Sequence, residues 1–254
     1  MEYLGIKIEK PKVAFFDFTC CEGCQLQITN KEDTLIDLLS LVEIVNFREI
    51  SSDKNNDYDI AFIEGAISRQ DQIDRIKKIR KKAKLLISLG TCACSGGVNS
   101  LINAHNTKDA VTEVYGKHKI DTLPVKSAKE IVKIDFEIPG CPINKKEFEN
   151  IVVHLITGAD FSFKKYPVCM ECKQNLNHCL LDENKICLGP ITRAGCYAPC
   201  PGGKLPCYGC RGPAEEHNWP ALKQTLIENG FTLEQIQEKT SFFNMLTEVT
   251  GNES

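Results

Sequence analysis

The stretch VAFFDFTCCEGC, residues 13–24, joins a short apolar run of strand formers to a loop that carries three thiols. Its apolar part, residues 13–16, ends at Asp17 and reads as a buried β-strand. The loop Phe18-Thr19-Cys20-Cys21-Glu22-Gly23-Cys24 follows without a spacer. The same arrangement recurs twice further on. Residues 85–89 read as a buried strand and run straight into Gly90-Thr91-Cys92-Ala93-Cys94-Ser95-Gly96-Gly97. Residues 134–138 read as a strand and lead into Pro139-Gly140-Cys141-Pro142.

Helical segments fill the gaps. From Gln25 to about Leu41 the apolar positions Leu26, Ile28, Leu35, Ile36, Leu38 and Leu39 predict helix, with a break near Asn30 and Asp33 as a cap for the second part. Strands are expected at 42–47 and at 60–63, the latter ending in Glu64-Gly65. Residues 70–83 place Ile73, Ile76, Ile79 and Ala83 on one face of an amphipathic helix, and the basic run KKIRKKAK reads as its solvated face. A last helix is expected over 145–157. Alternating strands and helices define an α/β fold with a doubly wound, mostly parallel sheet.

In such sheets ligands sit where the loops at the carboxyl ends of the strands converge. Cys21 and Cys24, Cys92, and Cys141 each follow a strand directly, so the topology can assemble a four-thiolate site from three distant loops. Gly23, Gly90 and Gly140 beside them leave room for backbone N–H groups to approach sulfur. Cys20 and Cys94 are then left over. They read as small buried hydrophobes beside the site, the rival being that either replaces a neighbour as ligand.

The second half is of another kind. Residues 169–210 hold eight cysteines: Cys169, Cys172, Cys179, Cys187, Cys196, Cys200, Cys207 and Cys210. The stretch opens and closes with a CxxC, and too few apolar residues lie between the thiols to bury a core. Eight thiols are the complement of two four-cysteine centres. Disulfides, zinc and iron–sulfur clusters compete to fill them. Disulfides need an oxidising compartment, and MEYLGIKIEKPKVAFF has neither a signal-peptide core nor a twin-arginine pair, so a cytoplasmic location is expected. There a cysteine cluster reads as a metal site. Net charge of −3 leaves no basic footprint for nucleic acid, and no apolar run reaches the roughly 18 residues of a spanning helix.

The motifs CCEGCQLQ (20–27), SLGTCACSGG (88–97), IPGCPIN (138–144), YPVCMECK (166–173), CLGPITRAGC (187–196) and PCYGCRGP (206–213) occur here in family order. The chain closely resembles the small, electron-transferring subunit of [NiFe]-hydrogenases, in particular the cytoplasmic multimeric kind that includes sulfhydrogenase delta subunits. The resemblance implies a flavodoxin-like domain over 1–160 and a cysteine-rich domain with a helical C-terminal tail over 161–254. It implies three [4Fe-4S] clusters: proximal on Cys21, Cys24, Cys92 and Cys141; distal on Cys169, Cys172, Cys179 and Cys187; medial on Cys196, Cys200, Cys207 and Cys210. Electrons would pass between the nickel–iron site of a partner large subunit and flavin- or iron–sulfur-containing acceptor-reducing subunits. Isolated, the chain would not turn over H2.

Two departures from well-studied periplasmic relatives matter. Those have a histidine where this chain has Cys169, and a proline where it has Cys200, so a four-iron medial cluster is expected here. His178 beside Cys179 reads as a solvated loop histidine. A second resemblance is to the complex I subunit that holds the terminal cluster of quinone reduction. That subunit shares the flavodoxin-like domain and adjacent cysteines such as Cys20-Cys21, but lacks the CxxC at 21–24 and the eight-cysteine domain. The remaining classes are an electron carrier without a nickel partner and a zinc-stabilised structural protein. No dinucleotide fingerprint, Walker A loop or flavin motif occurs, so nickel, flavin and nucleotide are assigned to partner chains. Within 213–254, Trp219, Leu222, Leu226, Ile227, Phe231, Leu233 and Ile236 are the expected apolar anchors.

Overall fold

The structure, a computed structural model, describes residues 2–3, 6–7, 10–30, 40–52, 54–118 and 120–245. Residues 31–39, with Asp33 and the second part of the helix expected after the first strand, lie outside the described residues. The chain divides into two compact units, Met1–Phe161 and Ser162–Ser254.

The first unit opens with a two-stranded antiparallel pair, β1 (Glu2–Tyr3) and β2 (Ile6–Lys7). Its centre is a parallel sheet of β3 (Lys12–Asp17), β4 (Glu43–Asn46), β5 (Ile60–Glu64), β6 (Leu85–Leu89) and β7 (Phe136–Ile138). The spatial order is β4-β3-β5-β6-β7, which ranked by chain order is the flavodoxin-like 2-1-3-4-5. Every residue of β5 and β6 is buried, as expected of strands covered on both faces. Phe15 stacks on Phe47 and on Phe62, with ring centroids 4.2 and 4.7 Å apart.

Register is what turns this sheet into a platform. Asp17 pairs with Glu64, Glu64 with Leu89, and Leu89 with Ile138. The four carboxyl ends are therefore level, and the loops that follow leave from one edge. The switch point of the strand order lies between β3 and β5, where the loop of Cys20, Cys21 and Cys24 departs.

Helices α1 (Gly23–Thr29), α2 (Gln70–Lys82), α3 (Gly90–Ser95), α4 (Thr107–Tyr115) and α5 (Lys145–Thr157) complete the unit. Helix α1 ends at Asn30, where the sequence predicts a break. In α2, Ile76 and Ile79 are buried, with Ile73 and Ala83 against the same core. Asn144 caps α5 by accepting from the N–H groups of Lys146 and Glu147. Strand β7 starts at Phe136, two residues later than expected. The cause is Asp135, whose carboxylate accepts the Leu86 N–H at 2.8 Å and pairs with Arg80, so a side chain stands where the ladder would begin.

In the second unit short helices carry the thiols: α6 (Val168–Gln174) and α7 (Pro199–Gly202). Two longer ones follow, α8 (Trp219–Glu228), capped by Asn218, and α9 (Leu233–Ser241), capped by the reciprocal box of Thr232 and Gln235. Leu222, Leu226, Ile236 and Met245 from this tail bury against Leu188 and Ile191 of the thiol-bearing segment, with Trp219 and Phe231 partly buried beside them. The segment thus obtains from the tail the core that it lacks alone. Two expected anchors are corrected: Ile227 and Leu233 are exposed, at 41% and 58%, because they fall on the outer faces of α8 and α9. Among the described residues no helix is long and apolar enough to cross a membrane.

Ile76, fully buried at the sheet–helix contact, sets the scale of the core. Ile76→Ala is expected to cost about 2–5 kcal/mol of unfolding free energy, and Val114→Ala, at a 71% exposed position, less than about 0.5 kcal/mol. Denaturant midpoints of the two variants against the parent check this.

Candidate iron–sulfur sites

In the first unit the three cysteine loops are bonded to one another. Glu64, the last residue of β5, is 2% exposed. Its carboxylate accepts the Cys24 N–H and the Gln25 N–H, each at 3.0 Å, and the Gln25 side-chain amide at 3.1 Å. These are first-turn amides of α1, left without helical partners and supplied with an acceptor from another strand. Asn99 Nδ2 donates to the Thr19 carbonyl at 3.2 Å and to Cys92 Sγ at 3.4 Å, joining the first loop to the second. Thr91 joins the second to the third, its N–H donating to the Gly140 carbonyl at 2.9 Å while its hydroxyl accepts the Gly140 N–H at 3.2 Å. The Ile143 backbone acts on the Cys24 thiol, lowering its proton affinity.

Cys24 is buried, Cys20 and Cys92 are half-buried, and Cys21 and Cys141 are exposed. A cluster seated here would have one protein-covered and one open side. Gly90 is required: at φ +82° it faces Cys24, and a Cβ there would stand 2.3 Å from Cys24 Sγ. Cys94 is buried and donates to the Ser88 carbonyl at 3.9 Å. Cys20 stays close enough to act on the charge of Cys92, together with Cys141 and Cys21.

In the second unit Cys169, Cys172, Cys179 and Cys187 line one pocket, with Gly189, Val168, Leu180 and Leu181 among its other walls. A Cβ on Gly189 would lie 3.2 Å from Cys169 Sγ and 3.5 Å from Cys187 Sγ, so glycine is what leaves the cradle open. Cys187 Sγ accepts from the Cys207 N–H at 3.3 Å. Cys207 Sγ lies 3.5 Å from the Thr192 hydroxyl. Cys196 packs with Val168, Cys172 and Ala198, and feels the charge of Cys200, as Cys207 feels that of Cys210. Cys200 is exposed. His178 is exposed and lies 3.7 Å from Glu183, in keeping with a solvated loop residue.

Burial raises several of these thiols above their ordinary range. It pushes Cys92 up to about 12, with Cys141 and Cys20 adding to the effect, and Cys20 up to about 11, with Glu64 adding. Cys169 rises to about 12 through burial and then the charges of Cys187, Cys172 and Cys179. Cys24 and Cys207 are raised as well, again first by burial. A nest of thiols that resist ionising one beside another is what a cationic metal centre would reverse, since it binds thiolates. Among the described residues no three Cys, His, Asp or Glu side chains are drawn together on a single ion, and a cubane does not ask for that, its thiolates being shared among separate irons.

Three residues that shape these sites are not anticipated from the sequence as such: Glu64, Glu171 and Arg211. Each is charged and buried, at 2%, 2% and 1% exposure. The available signal was position, since Glu64 ends a strand, Glu171 sits inside CMEC and Arg211 directly follows CYGC.

The level strand ends, the bonded thiol loops and the thiol-lined pocket define a flavodoxin-like iron–sulfur subunit. The profile of the family described as NADH ubiquinone oxidoreductase, 20 Kd subunit, matches residues 21–155. The delta subunit of sulfhydrogenase 2 from Pyrococcus furiosus is 39% identical over 221 residues, 85% of this chain and 92% of that protein. A component of the vhu F420-non-reducing hydrogenase from Methanocaldococcus jannaschii is 29% identical over 271 residues, 93% of this chain and 94% of that one. Among solved structures, an actinobacterial-type NiFe-hydrogenase from Ralstonia eutropha H16 aligns with a TM-score of 0.61 at 13% identity, over 97% of this chain and 92% of that chain, a likeness of fold. The chain belongs to the 20 Kd subunit family, among its hydrogenase small subunits. The family profile ends at residue 155, before the first of the eight clustered cysteines, whereas the hydrogenase relatives extend across them.

Gly90→Ala is expected to cost more than Gly116→Ala. Both residues have positive φ, at +82° and +62°, but a Cβ on Gly116 meets nothing within 4 Å, whereas on Gly90 it meets Cys24. A positive φ costs a side chain at least about 1–2 kcal/mol, and the fall in unfolding midpoint beyond that for Gly90→Ala reads out the collision with Cys24. The raised thiols have a consequence of definite sign. Between about 9, the ordinary thiol value, and about 12, the folded cluster-free chain holds more protons than the unfolded chain. Its stability is therefore full below about pH 9 and falls as pH rises through that window, which urea unfolding of iron-free protein at pH 8, 9.5 and 11 measures.

Proposed function

We propose that this chain is the iron–sulfur electron-transfer subunit of a cytoplasmic [NiFe]-hydrogenase, conducting electrons between the nickel–iron site of a partner large subunit and an acceptor-reducing partner. The observation that carries the reading is the pairing of two thiol sites in one chain: three strand-end loops tied together around Cys21, Cys24, Cys92 and Cys141, and a pocket walled by Cys169, Cys172, Cys179 and Cys187. The donor sets are all sulfur, lie beside N–H groups that donate to that sulfur, and have glycine where any side chain would fill the cradle. These features fit [4Fe-4S] clusters.

On this reading Cys21, Cys24, Cys92 and Cys141 hold a proximal cluster, Cys169, Cys172, Cys179 and Cys187 a distal one, and Cys196, Cys200, Cys207 and Cys210 a medial one. When bound, such clusters supply one-electron uptake and release with little rearrangement. The chain's own residues do the rest. Cys24, Cys172, Cys187 and Cys207 are buried, so protein rather than water surrounds that side of each site. Asn99 and Cys207 direct N–H groups at sulfur, which lowers the cost of gathering negative charge there. Nickel, flavin and nucleotide belong to partners: the large subunit, and flavin- or iron–sulfur-containing subunits that reduce the acceptor.

The second reading, a cluster-carrying module of a quinone-reductase-type oxidoreductase, draws on the family profile over residues 21–155. Purifying the tagged chain anaerobically from its native host separates the two. Co-purification with a larger chain, nickel, iron and H2-dependent viologen reduction is expected. In a Cys92→Ser variant the complex should lose about four irons. Abundant iron and sulfide with no nickel, large partner or H2 activity would favour the second reading, and zinc in place of iron would exclude both.

A further inference from the structure

In the second unit a buried cation and a buried anion grip the same short loop. Arg211 directly follows Cys210 and is 1% exposed. Its Nε donates to the carbonyls of Arg193 at 3.1 Å and Ala194 at 3.2 Å. Glu171, between Cys169 and Cys172, is 2% exposed and accepts the Gly195 N–H at 3.0 Å and the Tyr197 N–H at 2.8 Å. Cys196 is the residue enclosed by those four contacts. The outer side of Glu171 faces Lys164, whose Nζ is 2.6 Å away and stands over the rings of Tyr166 and Tyr197.

Loop fixation alone does not require full charges, since neutral donors and acceptors bond a backbone without the cost of burying an ion. Charge acts where hydrogen bonding does not, on the electron count of a neighbour. Adding an electron to a thiolate-bound cluster adds negative charge; a fixed cation nearby in a poorly polarisable interior favours that state, and a fixed anion opposes it.

We infer that Arg211 and Glu171 are opposed fixed charges that set the reduction potential of the site formed by Cys196, Cys200, Cys207 and Cys210, Arg211 raising it and Glu171 lowering it. This rests on the reading that those four thiols hold a cluster. Both are positioning residues, acting on the site without ligating it.

The test is an EPR-monitored redox titration of the whole complex, purified anaerobically, for the parent and the variants Arg211→Gln, Arg211→Lys and Glu171→Gln. Iron and sulfide are counted first. Arg211→Gln is expected to shift the midpoint of one cluster downward, and Glu171→Gln to shift that of the same cluster upward. Arg211→Lys should stay nearer the parent than Arg211→Gln does. A purely structural role predicts otherwise: loosening the loop from either side would let in water and move both midpoints the same way. Shifts of one sign, shifts on different clusters, or no shift would overturn the inference. Should Arg211→Gln fail to assemble its cluster, Glu171→Gln decides alone, a rise supporting the inference and anything else overturning it. A parent complex without iron and sulfide would sink the underlying reading as well; a fully loaded parent with unmoved variants sinks this inference only.

Discussion

The Glu64 carboxylate is the interaction on which the first unit's site depends. It ends a strand whose every residue is buried and is held in register with Asp17 on one side and Leu89 on the other. From there it takes up the first-turn amides of α1. That helix starts without a side-chain cap of its own, its N-cap Glu22 lying in the left-handed region at φ +61°. Hydrogen bonds to a charged acceptor are worth about 1.5–3 kcal/mol each, enough to fix the chain direction at Cys24 against the entropy of a short loop. The price is a negative charge that pushes Cys20 and Cys24 further from ionising.

The second unit solves a different problem. Its thiol-bearing segment has short helices and many turns, and the apolar residues available to it are few. Leu188 and Ile191 reach the core supplied by α8 and α9, while Glu171 and Arg211 fasten the loop of Cys196 through its backbone. Order therefore comes from a borrowed core and from buried charge, with the thiols kept for ligation. The sulfur-to-amide contact between Cys187 and Cys207 places members of the two proposed ligand sets side by side, and short separations of this kind are what successive electron carriers within one small domain need.

Strands, their order of appearance and the positions of the thiol loops were legible in the sequence because parallel buried strands are continuous apolar runs and punctuation by Cys-Gly loops is abrupt. Helix 145–157 was legible to the residue, since Asn144 and Gly158 bracket it. The start of β7 was not, because Asp135 imitates a backbone acceptor and one cannot see from Ile134-Asp135-Phe136 where the ladder begins. The tail's helices were legible from their caps, but periodicity overcounted the anchors, as Ile227 and Leu233 are exposed. Cys21, Cys24, Cys92 and Cys141 were grouped from the strand ends, and the eight later thiols through family likeness alone. Glu64, Glu171 and Arg211 stayed hidden because their partners are backbone amides and carbonyls, which leave no pattern in the side chains.

Mössbauer spectroscopy of the iron-57-labelled complex, before and after exposure to H2, asks whether this chain carries electrons on iron–sulfur clusters held by its own thiols. Iron attributable to this chain, about twelve atoms in cubane form, is expected to gain reduced character under H2, and Cys92→Ser to remove a third of the signal. Cluster iron absent from this chain, or present but unresponsive to H2 in an active complex, would contradict this.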